Sequence, residues 1–325
     1  MDVPCVRVER EAGEETRQAL AEDDLLDRDR EIVAEDGWLY IPVSRPGEIE
    51  SHEVVERAVP EREQQTMPAD LVEFEPSYER VGEVVIIDED DDERARELAD
   101  AIVESAIPAK TVLNRASKIQ GATRVREWDV LAGEETEAQY REYGCEFVLD
   151  LAEVYFSPRL ATERRRVVEQ VAAGERVFDM FAGVGPFVVP MAKQGAEVVG
   201  VDINETAIEY LRENAERNDV LSRVTAIHGD VREVAPEYEG WADRIVMNLP
   251  HSAEEFLDSA RTIASEECTL HFYDIQHEDD LFGPGERAIR EVMEPDYEVS
   301  VEREHVVRSY APHEYNVVLD VQLQR

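Results

Sequence analysis

Phe178-Asp-Met-Phe-Ala-Gly-Val-Gly-Pro-Phe187 runs from an apolar strand through a glycine-rich turn into a helix. A doubly wound α/β domain opens its nucleotide site in this way. Gly183 and Gly185 lack a Cβ, so the backbone there can turn tightly and approach a ligand closely. Asp179 stands at the carboxyl end of the strand and can accept from a polar ligand group. The third glycine of a dinucleotide fingerprint is missing, because Pro186, Phe187 and Val188 follow. That counts against a pyrophosphate and suits a phosphate-free ligand such as S-adenosyl-L-methionine.

From about residue 150 onward the chain alternates strands and helices. Strands are expected at 177–180, 197–201, 224–228, 244–247 and 269–273, with helices at 205–218 and 253–264. Such alternation calls for a parallel sheet with right-handed crossovers. A helix at 285–293 is followed by two long strand patterns, 297–307 and 315–323, close enough to form an antiparallel hairpin. A parallel sheet ending in such a hairpin is the methyltransferase variation on the doubly wound theme. The expected fold is therefore α/β, a Rossmann-like methyltransferase domain over 151–325 with small α+β domains before it.

The first of these covers 1–65, with strands at 3–8 and 38–43 around a helix at 14–26. The polar, proline-bounded stretch Pro60 to Pro68 reads as a linker. The second covers 70–150, with strands at 84–87, 111–113, 124–130 and 147–151 and a helix at 93–105 whose apolar face carries Leu98, Ile102 and Val103.

The formal charge is −42 over 325 residues, with only three lysines, Lys110, Lys118 and Lys193. Acidic runs such as Asp88 to Glu93 lie between apolar stretches, so they read as solvated surface. Concentrated salt screens such self-repulsion, which points to a halophilic cytoplasm. Persistent apolar periodicity excludes a disordered acidic chain. Cys5, Cys145 and Cys268 are far apart and form no zinc or disulfide pattern. Neither an apolar leader nor a run of about 18 apolar residues is present. A cytoplasmic monomer, free of membrane and of metal, is expected.

Asp202 ends the second strand in Val199-Gly-Val-Asp-Ile-Asn204, where a carboxylate can grip both hydroxyls of a ribose. Asn204 suits the following helix N-cap. Asp230, in His228-Gly-Asp230, is placed to accept from an adenine amino group, with Val231 against the ring. Asn248-Leu-Pro250 ends the fourth strand, and its proline stops the ladder, aiming the Asn248 amide into the cleft. Arg115, Lys118, Arg124, Arg126, Arg141, Arg159 and Arg164 to Arg166 reverse the local charge, as a nucleic-acid footprint does. Tyr155 and Phe156 offer rings for base stacking.

With these residues in view, the chain resembles the archaeal and eukaryotic tRNA (guanine-37-N1)-methyltransferase family. The resemblance rests on Arg124 to Glu134, Arg141 to Cys145, Val154 to Arg159 with Glu163-Arg164, Phe178 to Phe187, Asn248-Leu-Pro250 and Val307 to Pro312. It implies tRNA as partner and S-adenosyl-L-methionine as cofactor. It implies Glu163 as general base, Arg124 stabilising charge on the purine oxygen, and Asn248 and Pro250 positioning the base. Arg164, Asp179, Phe181, Gly183, Gly185, Asp202, Ile203, Asp230, Val231 and Asn248 would hold the cofactor. Tyr155, Arg159 and Arg126 would hold the RNA. The N-terminal unit resembles the extra domain with which archaeal members check the outer corner of tRNA.

Three rivals stand beside this. An aminocarboxypropyl transferase of wybutosine synthesis would use the same cofactor but move a different group. A dehydrogenase is opposed by the missing glycine. An idle RNA-binding module would bind tRNA without modifying it.

Overall fold

A computed structural model describes residues 2–49, 51–62, 65–117, 121, 123–294 and 296–325. The chain divides into two compact units, Met1–Met67 and Pro68–Arg325.

The first unit is an antiparallel sheet. Asp2–Glu9 lies at its centre between Trp38–Pro42 and Glu53–Ala58, with Val33–Glu35 at one edge. The helix Gly13–Glu22 covers one face, and Val6, Val8, Leu20 and Ile41 form the core between them. Part of the expected linker belongs to this unit. Glu31 N donates to the Pro60 carbonyl at 3.0 Å and Arg62 N to that of Asp29 at 2.7 Å.

The second unit is built on one seven-stranded sheet. Its strands are β1 (Arg176–Asp179), β2 (Glu197–Asp202), β3 (Val224–His228), β4 (Ala242–Met247), β5 (Ala264–His277), β6 (Glu298–Ala311) and β7 (Glu314–Gln324). Their order is β3-β2-β1-β4-β5-β7-β6, parallel through β5, with β7 inserted antiparallel between β5 and β6. The strand order reverses between β1 and β4, and a ligand crevice opens at such a switch point.

The central strands are apolar on both faces because helices cover both, as parallel sheets require. The helix α1 (Ala161–Val168) precedes β1, α2 (Val188–Lys193) follows the glycine turn, and α3 (Glu205–Arg217) follows β2. Asn204 caps α3, its Oδ1 accepting from Thr206 N at 3.1 Å and Ala207 N at 3.4 Å, while its Nδ2 donates to the Glu153 carbonyl at 2.8 Å. Asn204→Ala is expected to cost about 1 kcal/mol, read as a fall in Tm of a few degrees.

Residues 70–150 and 151–325, expected as separate domains, share one core. Val81, Leu113, Phe147 and Leu149 pack in the same cluster as Val177, Val188 and Leu211. A sheet of Tyr78–Val81, Val84–Ile87, Thr111–Arg115 and Trp128–Ala132 carries the helix Asp92–Glu104. Leu98 and Ile102 of its expected apolar face are buried, but Val103 is exposed, because one position past Ile102 the helix has turned about 100° toward solvent. The hairpin Glu137–Glu142/Cys145–Asp150 is tied to α3 by Asn214, which is fully buried. Its Oδ1 accepts from Val148 N at 2.7 Å, and its Nδ2 donates to the Val148 and Val184 carbonyls. The strand expected at 124–130 begins only at Trp128, because Arg124 takes a left-handed φ of 57°. No described helix is long and apolar enough to cross a membrane.

Candidate active site

A cleft of about 1120 Å³ opens at the carboxyl ends of β1, β2 and β4. Of the residues singled out from sequence, Arg124, Arg126, Tyr155, Arg159, Arg164, Phe181, Gly183, Asp202, Ile203, Asp230, Val231, Asn248 and Pro250 line it. Asp179, Gly185 and Glu163 do not.

The turn after β1 is held from β2. Gly183, at φ 52°, donates its N–H to Asp202 Oδ2 at 2.7 Å, and Asp202 Oδ1 accepts from Asn204 N at 2.9 Å. Each carboxylate oxygen keeps a second lone pair for a ligand. Burial raises the Asp202 pKa. Gly185 shapes the turn from behind, because at φ 88° a Cβ would meet Leu211 Cδ1 at 2.3 Å.

Asp179 is almost wholly buried. Its Oδ1 accepts from Phe181 N at 3.2 Å, and its Oδ2 has no hydrogen-bond partner among the described residues. Burial pushes its pKa up to about 7. An orphaned buried oxygen at this place calls for a donor that the protein itself does not supply.

Beyond Asp202 the cleft wall is apolar, with Val231 buried and Ile203 exposed. Asp230 caps the next short helix through Arg232 N at 2.9 Å and is also gripped by the Arg232 guanidinium, which lowers its pKa. Phe181 packs edge-on against Phe256, with centroids 5.0 Å apart.

The other half of the cleft lies beyond β4. Pro250 fixes the Asn248 loop to β5, its carbonyl accepting from Ile275 N at 3.1 Å. Arg124 lies over the Tyr155 ring at 5.1 Å. His251 Nε2 is 3.1 Å from Tyr310 Oη, and burial, then Arg124, lowers its pKa. Arg126 lies 5.5 Å over Trp128, and burial lowers its pKa.

The basic cluster does not converge as a whole. Arg115, Arg124, Arg126 and Arg159 line the cleft, and both Arg115 and Arg159 pair with Glu79. Arg141 instead pairs with Glu146, and Arg165 with Glu169. Lys118 lies outside the described residues.

Arg164 faces the cleft but is already engaged. Its Nε and Nη2 donate to Glu142 at 2.7 and 2.5 Å, and its Nη1 to the Ser157 carbonyl at 3.0 Å. Glu142 is thus a site residue that sequence reading missed. Only the fold brings it beside an arginine 22 positions away.

Glu163, next to Arg164 on α1, points the other way. It is 5% exposed, and its carboxylate accepts from Arg166 Nε and Nη2 at 2.7 and 2.8 Å and from Tyr273 Oη at 2.7 Å. One helical turn puts 163 and 166 on the same face, so the pair forms locally. Arg166 continues to Asp320, whose Oδ1 is 2.6 Å from His271 Nδ1, and Arg244 donates to His271 Nε2 at 2.7 Å. Tyr273 lies against Phe187 of the cleft wall, with ring centroids 6.2 Å apart, so the Glu163 carboxylate sits behind that wall.

The model of the TRM5/TYW2 methyltransferase domain matches residues 138–302, that of the tRNA methyltransferase 5 N-terminal domain 5–49, and that of the TYW2 N-terminal domain 61–136. The chain belongs to the TRM5/TYW2 methyltransferase family. It is 41% identical to the tRNA (guanine(37)-N(1))-methyltransferase Trm5b of Pyrococcus abyssi, over 97% of this chain and 98% of that protein. It is similar to the structure of aTrm5 in complex with tRNALeu, at 31% identity and a TM-score of 0.73, over 98% of this chain and 99% of that one. It is 31% identical to a tRNA(Phe) (4-demethylwyosine(37)-C(7)) aminocarboxypropyltransferase of Methanocaldococcus jannaschii, over 76% of this chain and 98% of that protein.

Proposed function

We propose that this chain transfers a methyl group from S-adenosyl-L-methionine to N1 of guanosine 37 in tRNA, acting as a monomer in a salt-rich cytoplasm. The observation that carries the reading is one cleft with two halves. The glycine turn with Asp202, Ile203 and Val231 faces Asn248, Pro250, Arg124 and Tyr155 across the end of β4. Full-length similarity to Trm5b supports guanosine as the acceptor.

The residues present fit this cofactor. Asp202 would take its ribose hydroxyls, Asp230 its adenine amino group, and Ile203 and Val231 the ring faces. Phe181 and Gly183 would border its path, with Gly185 keeping the turn closed. The orphaned Asp179 Oδ2 calls for a cation or N–H, and an ammonium group supplies one. Arg164 would contribute by fixing the Ser157 segment and, through it, Tyr155. Bound there, the cofactor supplies a methyl group on an electron-poor sulfonium.

The remaining work falls to the protein. Asn248 and Pro250 hold the purine edge-on, Tyr155 stacks on it, and Arg126 and Arg159 hold the flanking RNA. Orientation of this kind supplies much of the acceleration. Arg124 stabilises negative charge growing on the purine oxygen. N1 of guanosine carries a proton that must leave, and Glu163 is the proposed acceptor. It reaches N1 by giving up its bonds to Arg166 and Tyr273 as RNA enters. Catalytic hydrogen bonds commonly form only in the loaded complex.

The test is incubation of tRNA transcripts bearing G, A or U at position 37 with methyl-labelled cofactor. Label is expected only with G37. Label in the A37 and U37 transcripts, or none in G37, overturns the reading.

Salt gives a second expectation. Arg115 and Arg159 already share Glu79, so binding RNA releases few counterions. The Kd for tRNA is expected to change less than about tenfold between roughly 0.2 and 2 M salt, measured by fluorescence anisotropy. A steep loss with the protein still folded contradicts this.

A further inference from the structure

On the β5 side of the cleft, two buried polar atoms are unaccounted for by the roles above. Asn316 on β7 and Arg308 on β6 both line the cleft on its β5 side, together with Ile275 and Pro250. They are direct cross-strand partners, and Ile275 is the partner of Asn316 on β5, so the three share one face of the sheet. Asn316 Oδ1 and Arg308 Nε are both buried with no hydrogen-bond partner among the described residues. Register shifts between Val306 and Arg308 and between Ser309 and Ala311 bracket Arg308. Bulges of this kind re-aim a side chain. The hairpin thus presents one N–H donor beside one carbonyl acceptor, both desolvated. Such groups are costly to bury unless a ligand satisfies them.

The complementary ligand edge has an acceptor beside a donor. On guanine two edges meet this description, O6 with N1–H and N3 with the 2-amino group. The first is spoken for, because N1 must face the incoming methyl and O6 faces Arg124. We propose that Asn316 and Arg308 read the N3/2-amino edge of the target guanine, Asn316 Oδ1 accepting from the 2-amino group and Arg308 Nε donating to N3. This rests on the proposed guanosine-N1 activity and adds its specificity determinant. Guanosine is then told from inosine, which keeps O6, N1–H and N3 but lacks the 2-amino group.

The test compares kcat/KM for two transcripts that differ only in G or inosine at position 37. The wild-type chain is expected to favour G37 by about tenfold, the worth of one buried hydrogen bond. In Asn316→Leu the preference is expected to collapse toward one, through loss on G37 with inosine unchanged. Arg308→Met is expected to slow both substrates equally, because both carry N3. The inosine rate serves as the internal control for folding. If Asn316→Leu is inactive on both, Asn316→Asp keeps the shape and the acceptor and must retain the preference. An unchanged ratio in Asn316→Leu, a lost one in Asn316→Asp, or no preference in the wild type overturns the inference. Of these, none touches the methyltransferase reading, which fails if wild-type protein leaves G37 unmodified, labels A37 and U37, or transfers a group other than methyl, and the inference then falls with it.

Discussion

Glu163→Gln is expected to slow single-turnover methyl transfer by about 10²–10⁴-fold, the usual worth of a positioned base, with tRNA affinity within a few-fold of wild type. Glutamine keeps the volume of the side chain and can still accept from Tyr273 Oη and Arg166. What it loses is the capacity to take a proton from a ring nitrogen. A purely structural role for Glu163, as anchor of the buried chain through Arg166 and Asp320, predicts a different pattern. It would appear as a lowered Tm and a rate loss independent of pH. A base predicts chemical rescue, because raising pH ionises guanine N1 without help and narrows the gap between variant and wild type. A rapid-quench rate measured from neutral to alkaline pH separates the two. A constant gap across that range would remove Glu163 from the proton path.

Asp179→Asn is expected to weaken S-adenosyl-L-methionine binding at least about 30-fold at pH 8, the lower end of the cost of losing one partner of a buried charge pair. The same change is expected to stabilise the ligand-free protein. Burial pushes the Asp179 carboxyl up to about 7, above the value near 4 of an unfolded chain. The folded state therefore binds the proton more tightly than the unfolded one. Its contribution is fully present below about pH 4 and is lost as pH rises through 7. The ligand-free wild type should lose Tm between pH 5 and 8 from this group, and the asparagine variant should not. Cofactor affinity should move the opposite way in the wild type, rising with pH as the carboxylate forms to meet a cation. Calorimetric titration and thermal melts at pH 5 to 8 read both slopes. Parallel slopes in the two proteins would show that Asp179 is not the group concerned.

The parts of the site written in local turn chemistry were legible without the fold. Phe178 to Phe187 reads as strand, turn and helix because glycine at positive φ and a strand-end aspartate are local requirements. Asp202 and Asn248-Leu-Pro250 follow from strand alternation alone, and the terminal hairpin follows from two long strand patterns with a short break. Less of the remainder was visible. Tyr78–Val81 and Glu137–Glu142 carry too many charges to read as strands, and they exist because neighbours pair with them. The orientation of Glu163 depends on Arg166 and Tyr273, the latter 110 positions away. The engagement of Arg164 by Glu142 and the paired orphans on Arg308 and Asn316 are likewise tertiary facts. Residues 70–150 looked like a separate domain because strands and a helix close on themselves there in sequence. In space, Phe147 and Leu149 complete the core of the large sheet.

The most direct measurement is mass spectrometry of the nucleoside at position 37 after reaction of a G37 transcript with S-adenosyl-L-methionine. Guanosine carrying one methyl group on N1 is the predicted product. A guanosine carrying an aminocarboxypropyl group, or one that stays unmodified while the RNA is bound, would contradict the account.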